Sequence, residues 1–465
     1  MDADWHLDCF KAYDVRGQVP GELDEGMAEL IGRAYARLVT PSRVAVGHDI
    51  RLTSPALQAA LVRGLTSEGV DVVDIGLVGT EQVYFATFAL HLDGGIMVTA
   101  SHNPRDYNGM KFTRSEARPI SADTGLKDIE AMVAAAMGRG PGPNVLAPTA
   151  SASRMGAVDK VDISLEYIDH LLTYIEPDRL RPLKIVVNAG NGGAGRVLDQ
   201  LETRLPLRFV KLNHEPDGSF PHGVPNPLLP ENRAATAEAV VREGADLGLA
   251  WDGDFDRCFF FDGKGEFIEG YYLVGLLAQG ALKRHPGGRI VHDPRLIWNT
   301  LEVVEQAGGV AVESKSGHAF IKERMRNEDA VYGGEMSAHH YFKEFSYADS
   351  GMIPWLQIVQ TISETGRGLS DMVKERMRRF PVSGEINRVL ADPPGALARL
   401  KETYGPEALK IDEIDGFSFE YATWRCNVRM SNTEPVVRVN LETRADEALL
   451  QRKTAEILEF LEGSA

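Results

Sequence analysis

The sequence predicts an α/β fold of three related α/β domains with mixed sheets, followed by a smaller α+β C-terminal domain, arranged around a central cleft. Three observations predict it. Apolar, β-branched runs ending in Gly, Asp or Asn lead repeatedly into helical periodicity. The order of these runs recurs three times along the chain. Near residue 380 the pattern shifts to strands and one closing helix, which suits an α+β unit. A length of 465 residues fits several domains better than one hydrophobic core.

Each predicted unit opens on a strand, at 43–46, 184–187 and 289–291. A second strand follows in each, at 70–75, 208–212 and 310–313. A third, such as 96–98 or 247–251, ends in a polar loop: TASHNP at 99–104, DGDFDR at 252–257 and GEMSAHH at 334–340. Open α/β sheets bind ligands beyond the carboxyl ends of their strands, so three such loops can line one shared cleft. A Gly-, Pro-, Ala- and Ser-rich stretch at 135–153 marks the first boundary, and residues 380–381 mark the last. The expected domains are therefore 1–150, 151–257, 258–378 and 379–465. In the last, strands are expected at 417–421 and 436–441 and a helix at 445–461, with the loop RCNVRMSNTEP at 425–435.

Composition narrows the function. With 43% apolar, 25% charged and 8% aromatic residues, the chain reads as an ordinary globular protein rather than a disordered, collagenous or disulfide-scaffold one. Its longest apolar stretch, 271–278, is too short to span a bilayer. Asp2, Asp4 and Asp8 stand where a secretory signal would carry basic residues, so no targeting segment is expected. A net charge of −17 argues against nucleic acid or an anionic membrane as the main partner. Anionic ligands would need basic residues gathered locally, which short-range screening permits. Cys9, Cys258 and Cys426 are widely spaced and lack a CxxC pair, so a reducing cytoplasm is the expected location. Oligomeric state is open, and a monomer is compatible with the sequence.

Asp252, Asp254 and Asp256 alternate, so an extended segment presents all three carboxylates on one side, a set suited to Mg²⁺. An EF-hand is disfavoured, because Arg257 falls where the turn Gly belongs and Gly263 where the bidentate Glu belongs. Ser101 reads on its own either as an N-cap or as a phosphate carrier, and no GxSxG elbow surrounds it. A phosphoserine beside three carboxylates and one divalent cation leaves net negative charge, for which Arg16, Lys111 and Arg257 are candidate counter-charges. Lys111 could serve in proton transfer if its neighbours lower its pKa. The fourth-domain loop gathers Arg429, Ser431, Asn432 and Thr433, with Arg438 beyond it, a combination that fits a phosphate. Glu335 and Ser337 suit sugar hydroxyls, and His318 follows Gly317 at a helix start. His339, His340, Met336, Met352 and the Trp residues read as packing.

With these motifs in hand, the chain resembles the α-D-phosphohexomutase superfamily, most closely the bacterial phosphomannomutase/phosphoglucomutase branch. The likeness runs nearly end to end through FKAYDVRG, TASHNP, DGDFDR, KSGHAFIKERM, GEMSAHHYF and RMSNTEP, in the family's order. It implies a mutase that interconverts mannose 6-phosphate and mannose 1-phosphate, and the corresponding glucose phosphates. The route would run through an active-site phosphoserine and a hexose 1,6-bisphosphate that is both intermediate and activator, in service of nucleotide-sugar and polysaccharide synthesis. By matching position, Ser101 would carry the phosphate and would hold Mg²⁺ together with Asp252, Asp254 and Asp256. Arg429, Ser431, Asn432 and Thr433 would grip the phosphate that is not reacting, and Glu335 and Ser337 would recognise sugar hydroxyls. Tyr13, Arg16, Lys111, Arg257, His318 and Arg438 would complete the cleft, with Arg16, Lys111 and His318 among the catalytic set. Arg295 stands where some members have Lys, and a guanidinium there binds but cannot act as an acid. The GEMSAHH loop resembles the mannose/glucose dual type. Two alternatives stay open: a haloacid-dehalogenase-type phosphotransferase with Asp252 as nucleophile, and a silent sugar-phosphate-binding protein.

Overall fold

Three β-branched runs become the central strands of three sheets built alike. RVAVGH, Arg43–His48, pairs in parallel with Asp71–Leu77 on one side and Gly94–Val98 on the other. Gly94–Val98 then pairs antiparallel with Tyr107–Arg114. Lys184–Asn188 repeats the scheme with Arg208–Leu212 and Leu247–Trp251 in parallel, and Leu247–Trp251 turns back antiparallel into Cys258–Asp262. Arg289–His292 does so with Val310–Glu313 and Tyr332–Gly334, followed by antiparallel His340–Phe342. Strands flanked in parallel on both sides read as continuous apolar runs because both faces are covered. Val44, Val46, Val186, Val187, Ile290 and Val291 are accordingly fully buried. In every unit the third strand delivers its polar loop at its carboxyl end, and the antiparallel strand brings the chain home.

The computed structural model describes residues 6–140, 143–146, 154–430 and 436–463. The chain divides into two units, Met1–Gly265 with Ala348–Gln360, and Glu266–Tyr347 with Thr361–Ala465. Two expected boundaries do not coincide with sheet boundaries. Val158–Lys160 pairs with Asp71–Leu77 of the first sheet, past residue 150. The second sheet runs through the hairpin strand Cys258–Asp262, past residue 257. Backbone pairing, invisible to composition, decides both.

In the first unit, helix Glu25–Val39 starts at Asp24, whose carboxylate accepts from Met27 N at 2.8 Å. It lays Ile31 and Tyr35 against Ile96 and Phe112 of the first sheet. The last domain is an antiparallel sheet in the order Ile386–Val389, Val436–Thr443, Trp424–Met430, Phe417–Glu420 and Lys410–Asp412. Helices Pro393–Tyr404 and Glu447–Glu462, capped by Asp392 and Asp446, cover a core of Leu400, Cys426, Val428, Val439, Leu441 and Ile457. Three mixed α/β sheets built alike and a smaller antiparallel α+β sheet are observed, as expected. Among the described residues no helix is long and apolar enough to cross a membrane.

Candidate active site

Ser101 follows the buried strand Gly94–Val98 in a left-handed backbone conformation, φ 47°. A side-chain-bearing residue pays about 1–2 kcal/mol for that conformation, so its surroundings must enforce it. They do so with buried polar groups. Thr99 Oγ1 accepts from Ser101 N at 2.9 Å and donates to Asp49 Oδ2 at 2.7 Å. The Arg51 guanidinium donates to four backbone carbonyls of the loop: Ser101 at 2.9 Å, Asn103 at 2.6 Å, Pro104 at 2.7 Å and Tyr107 at 2.8 Å. Asp49 also accepts from Arg51 N at 2.9 Å and Ser54 Oγ at 2.6 Å. The loop is thus tied to the strand end of Arg43–His48, which fixes the backbone that sets the orientation of the serine hydroxyl.

That orientation is toward the aspartates. Ser101 Oγ donates to Asp252 Oδ2 at 2.9 Å. Asp252, Asp254 and Asp256 are buried, and one oxygen from each lies within 4.8 Å of the others. Gly253 permits the approach, because a Cβ there would lie 2.7 Å from the Ser101 carbonyl oxygen. Asp254 Oδ1 is buried with no hydrogen-bond partner. Alternating carboxylate oxygens, one of them unsatisfied, fit a hard divalent cation.

Counter-charges crowd the same centre. Lys111 Nζ donates to Asp254 Oδ2 at 2.7 Å and Asp256 Oδ2 at 2.6 Å. Burial alone would lower the Lys111 pKa, but the two carboxylates hold it above the ordinary lysine range. The two carboxylates therefore favour the protonated form of Lys111. Burial likewise opposes the Asp254 charge, yet Lys111 and Thr80 hold that carboxyl well below the usual range. Burial, with Asp256 and Asp254 adding repulsion, lifts Asp252 to about 6 against the pull of Arg257. Arg257 donates through Nε at 2.9 Å and Nη2 at 2.7 Å to Asp252 Oδ2. The same Nη2 lies 2.5 Å from His102 Nδ1, and a guanidinium can only donate, so the ring proton is assigned to Nε2. Burial and Arg257 both depress the His102 pKa, leaving a neutral ring 3.0 Å from Ser101 Oγ. Arg16 donates to Asp14 at 2.8 Å and Asn103 at 2.6 Å, and Tyr13 lies half-buried beside Asp14.

The second unit holds a separate cationic set. Arg295 donates to Asp293 Oδ2 at 2.8 Å and reaches Ser337 Oγ at 3.4 Å and Glu335 Oε1 at 3.5 Å. Glu335 also accepts from Tyr341 Oη at 2.5 Å and from Gly317 N at 2.9 Å. This last bond ties the sugar-recognition candidate to the start of helix His318–Glu328, where His318 opens the first turn as expected. Burial opposes the Glu335 charge, while His339 and Arg295 hold its pKa below the usual range. Arg429 and Arg438 face each other across the pairing of Trp424–Met430 with Val436–Thr443. Ser431, Asn432 and Thr433 lie outside the described residues.

Sequence reasoning passed over Asp49, Arg51, Thr80, His102 and Glu385. Asp49 and Arg51 follow a predicted parallel strand, so the rule about carboxyl ends of strands would have flagged them. His102 sits inside a quoted motif. Thr80 and Glu385 carry no local signal.

A buried serine facing a triple carboxylate, with cationic side chains around it, is an arrangement suited to phosphoryl transfer. Models of the phosphoglucomutase/phosphomannomutase family match the chain throughout: alpha/beta/alpha domains I, II and III over residues 8–138, 165–265 and 269–380, and the C-terminal domain over 385–460. Relatives include "Phosphohexose mutases" of Xanthomonas campestris pv. campestris, 58% identical over 98% of this chain and 100% of the relative. A phosphomannomutase of Escherichia coli strain K12 is 53% identical over 98% of this chain and 99% of its own. Among solved structures, a phosphoglucomutase/phosphomannomutase family protein from Burkholderia thailandensis gives a TM-score of 0.86 at 31% identity, covering 98% of both chains. The chain belongs to the phosphoglucomutase/phosphomannomutase family, enzymes of the phosphohexomutase class.

Proposed function

We propose that this enzyme interconverts mannose 6-phosphate and mannose 1-phosphate, and glucose 6-phosphate and glucose 1-phosphate, in the cytoplasm, with Ser101 as the phosphate carrier. The observation that carries the reading is the 2.9 Å contact from Ser101 Oγ to the first of three clustered aspartates. The name of the 53%-identical phosphomannomutase supports mannose, and the phosphoglucomutase/phosphomannomutase family model supports adding glucose. In the forward half-reaction the bond from phosphorus to Ser101 Oγ breaks and one to the free sugar hydroxyl forms, that hydroxyl's proton ending on the released Ser101 oxygen, giving a hexose 1,6-bisphosphate. In the second half the other phosphate returns to Ser101.

Asp252, Asp254 and Asp256 are the residues that would hold Mg²⁺ together with the Ser101 phosphate. Bound there, the ion would supply charge neutralisation at the transferring phosphoryl group. Arg16, Lys111 and Arg257 would stabilise the remaining negative charge, and the fixed loop would position the serine oxygen. His318 would help orient the sugar, Glu335 and Ser337 would bind its hydroxyls, and Arg295 would bind rather than transfer a proton. Arg429, Ser431, Asn432, Thr433 and Arg438 would hold the phosphate that is not reacting. The domain roles follow the sequence: phosphoserine-bearing, metal-binding, sugar-recognising and phosphate-binding. The rival with Asp252 as nucleophile is disfavoured because its Oδ2 already accepts from Ser101 and twice from Arg257. A coupled assay with mannose 1-phosphate and glucose 1-phosphate, Mg²⁺ and a trace of the 1,6-bisphosphate tests the reading. Turnover of both sugars is expected, and no turnover of either would overturn it.

A further inference from the structure

Three guanidiniums from three separate elements of the second unit converge on one carboxylate. Glu385 Oε2 accepts from Arg295 Nη1 at 3.2 Å and from Arg429 Nη2 at 3.2 Å, and Oε1 accepts from Arg438 Nη1 at 3.4 Å. Arg295 follows the strand Arg289–His292, Arg429 and Arg438 lie on neighbouring strands of the last sheet, and Glu385 directly precedes Ile386–Val389.

The fit is loose. Charge-assisted N–H to carboxylate bonds normally measure about 2.7–2.9 Å, and all three contacts are longer. Donors also exceed acceptors. Arg295 Nε and Arg429 Nε are buried without a hydrogen-bond partner, on side chains only 4% and 8% exposed. A carboxylate offers two oxygens and one charge, whereas a phosphate monoester dianion offers three oxygens and two charges to the same donors. Arg295 also pairs with Asp293 at 2.8 Å and Asp415 Oδ2 lies 3.9 Å from Arg429 Nε, while Arg438 is half-buried, so Glu385 is set apart as the carboxylate that all three guanidiniums share.

We infer that Glu385 is an intramolecular placeholder for the substrate's non-reacting phosphate, competing with it for Arg295, Arg429 and Arg438. The inference rests on the proposed phosphate-binding role of these arginines and adds a reason for the carboxylate among them. A two-step mutase must release the phosphate it grips so that the bisphosphate can turn round. An internal competitor lowers apparent affinity in proportion to the time it occupies the donors, and so prevents a trapped intermediate.

The test uses the full chain with Ser101→Ala, which separates binding from turnover, and glucose 6-phosphate as the calorimetric probe. In that background Glu385→Gln, which keeps the shape and removes the charge, is expected to tighten Kd by about threefold or more. Glu385→Asp, which withdraws the carboxylate by one methylene, is expected to tighten it less, and it decides the question if the Gln variant does not fold. With Ser101 intact, KM and kcat for glucose 1-phosphate are expected to fall together, since release slows. A carboxylate that merely organises the arginines would give the opposite sign, so unchanged or weaker binding in a folded variant overturns the inference. Arg429→Ala in the same background is the separate control. If it binds glucose 6-phosphate as tightly as its parent, the phosphate-binding reading fails instead.

Discussion

Ser101 works as a carrier only if its oxygen stays pointed at the aspartates, and its left-handed backbone means the loop will not hold that shape unaided. Ser101→Ala is expected to leave the thermal midpoint nearly unchanged while cutting turnover by about a thousandfold or more, measured by the coupled assay. Arg51 acts one step back. Its fork spans four carbonyls, and a lysine ammonium cannot reproduce that geometry. Arg51→Lys is therefore expected to cost about 3 kcal/mol of stability and to depress kcat more than KM. The contrast shows what was legible at this scale. Motif and alternation singled out Ser101 and the three aspartates as candidates, and the structure brings them together. Arg51 did not, because its role is to satisfy backbone groups that meet only after folding.

Elements are locked around the aspartate loop by a buried acid. Glu81, in the first turn of helix Thr80–Ala89, accepts from Tyr167 Oη, from Ser350 Oγ at 2.9 Å and from Met352 N at 3.3 Å, just before helix Ile353–Thr365. Trp251, ending the strand that feeds the aspartates, donates to the Gly351 carbonyl at 3.0 Å. Burial raises the Glu81 pKa to about 8 in spite of these donors. An acid with a raised folded pKa keeps a proton that the unfolded chain has lost, so its contribution weakens as pH rises from about 4.5 to 8 and then levels off. Denaturation across that range is expected to show the stability of the parent falling relative to Glu81→Gln, by up to about 1.4 kcal/mol per pH unit. A constant gap between the two would contradict it. Gly253→Ala tests the neighbouring contact: its methyl would push on the Ser101 carbonyl, and a loss of activity exceeding the loss of stability is expected. Sequence periodicity located the third strands and their loops, and even matched Leu247–Trp251 to the residue. It could not foresee that Ser350 to Met352 would fold back on Glu81, a contact between positions 270 residues apart.

At the scale of the whole chain, a net charge of −17 coexists with two gathered cationic sets, one of Arg16, Lys111 and Arg257 and one of Arg295, Arg429 and Arg438. Each is matched to buried carboxylates, so the cations are gathered locally in spite of the overall negative charge. The threefold repeat was legible because parallel strands advertise themselves as apolar runs. The domain limits at 150 and 257 were not, because sheet pairing carries the chain past them. All of these features serve one claim, that phosphate passes through the Ser101 oxygen. The most direct measurement is to incubate the enzyme with a hexose 1,6-bisphosphate labelled in both phosphates, digest it and locate the label by mass spectrometry. Acid-stable phosphate on the Ser101 peptide, absent from Ser101→Ala, is the expected result. Label on the Asp252 peptide, or equal labelling of the Ser101→Ala protein, would contradict the account.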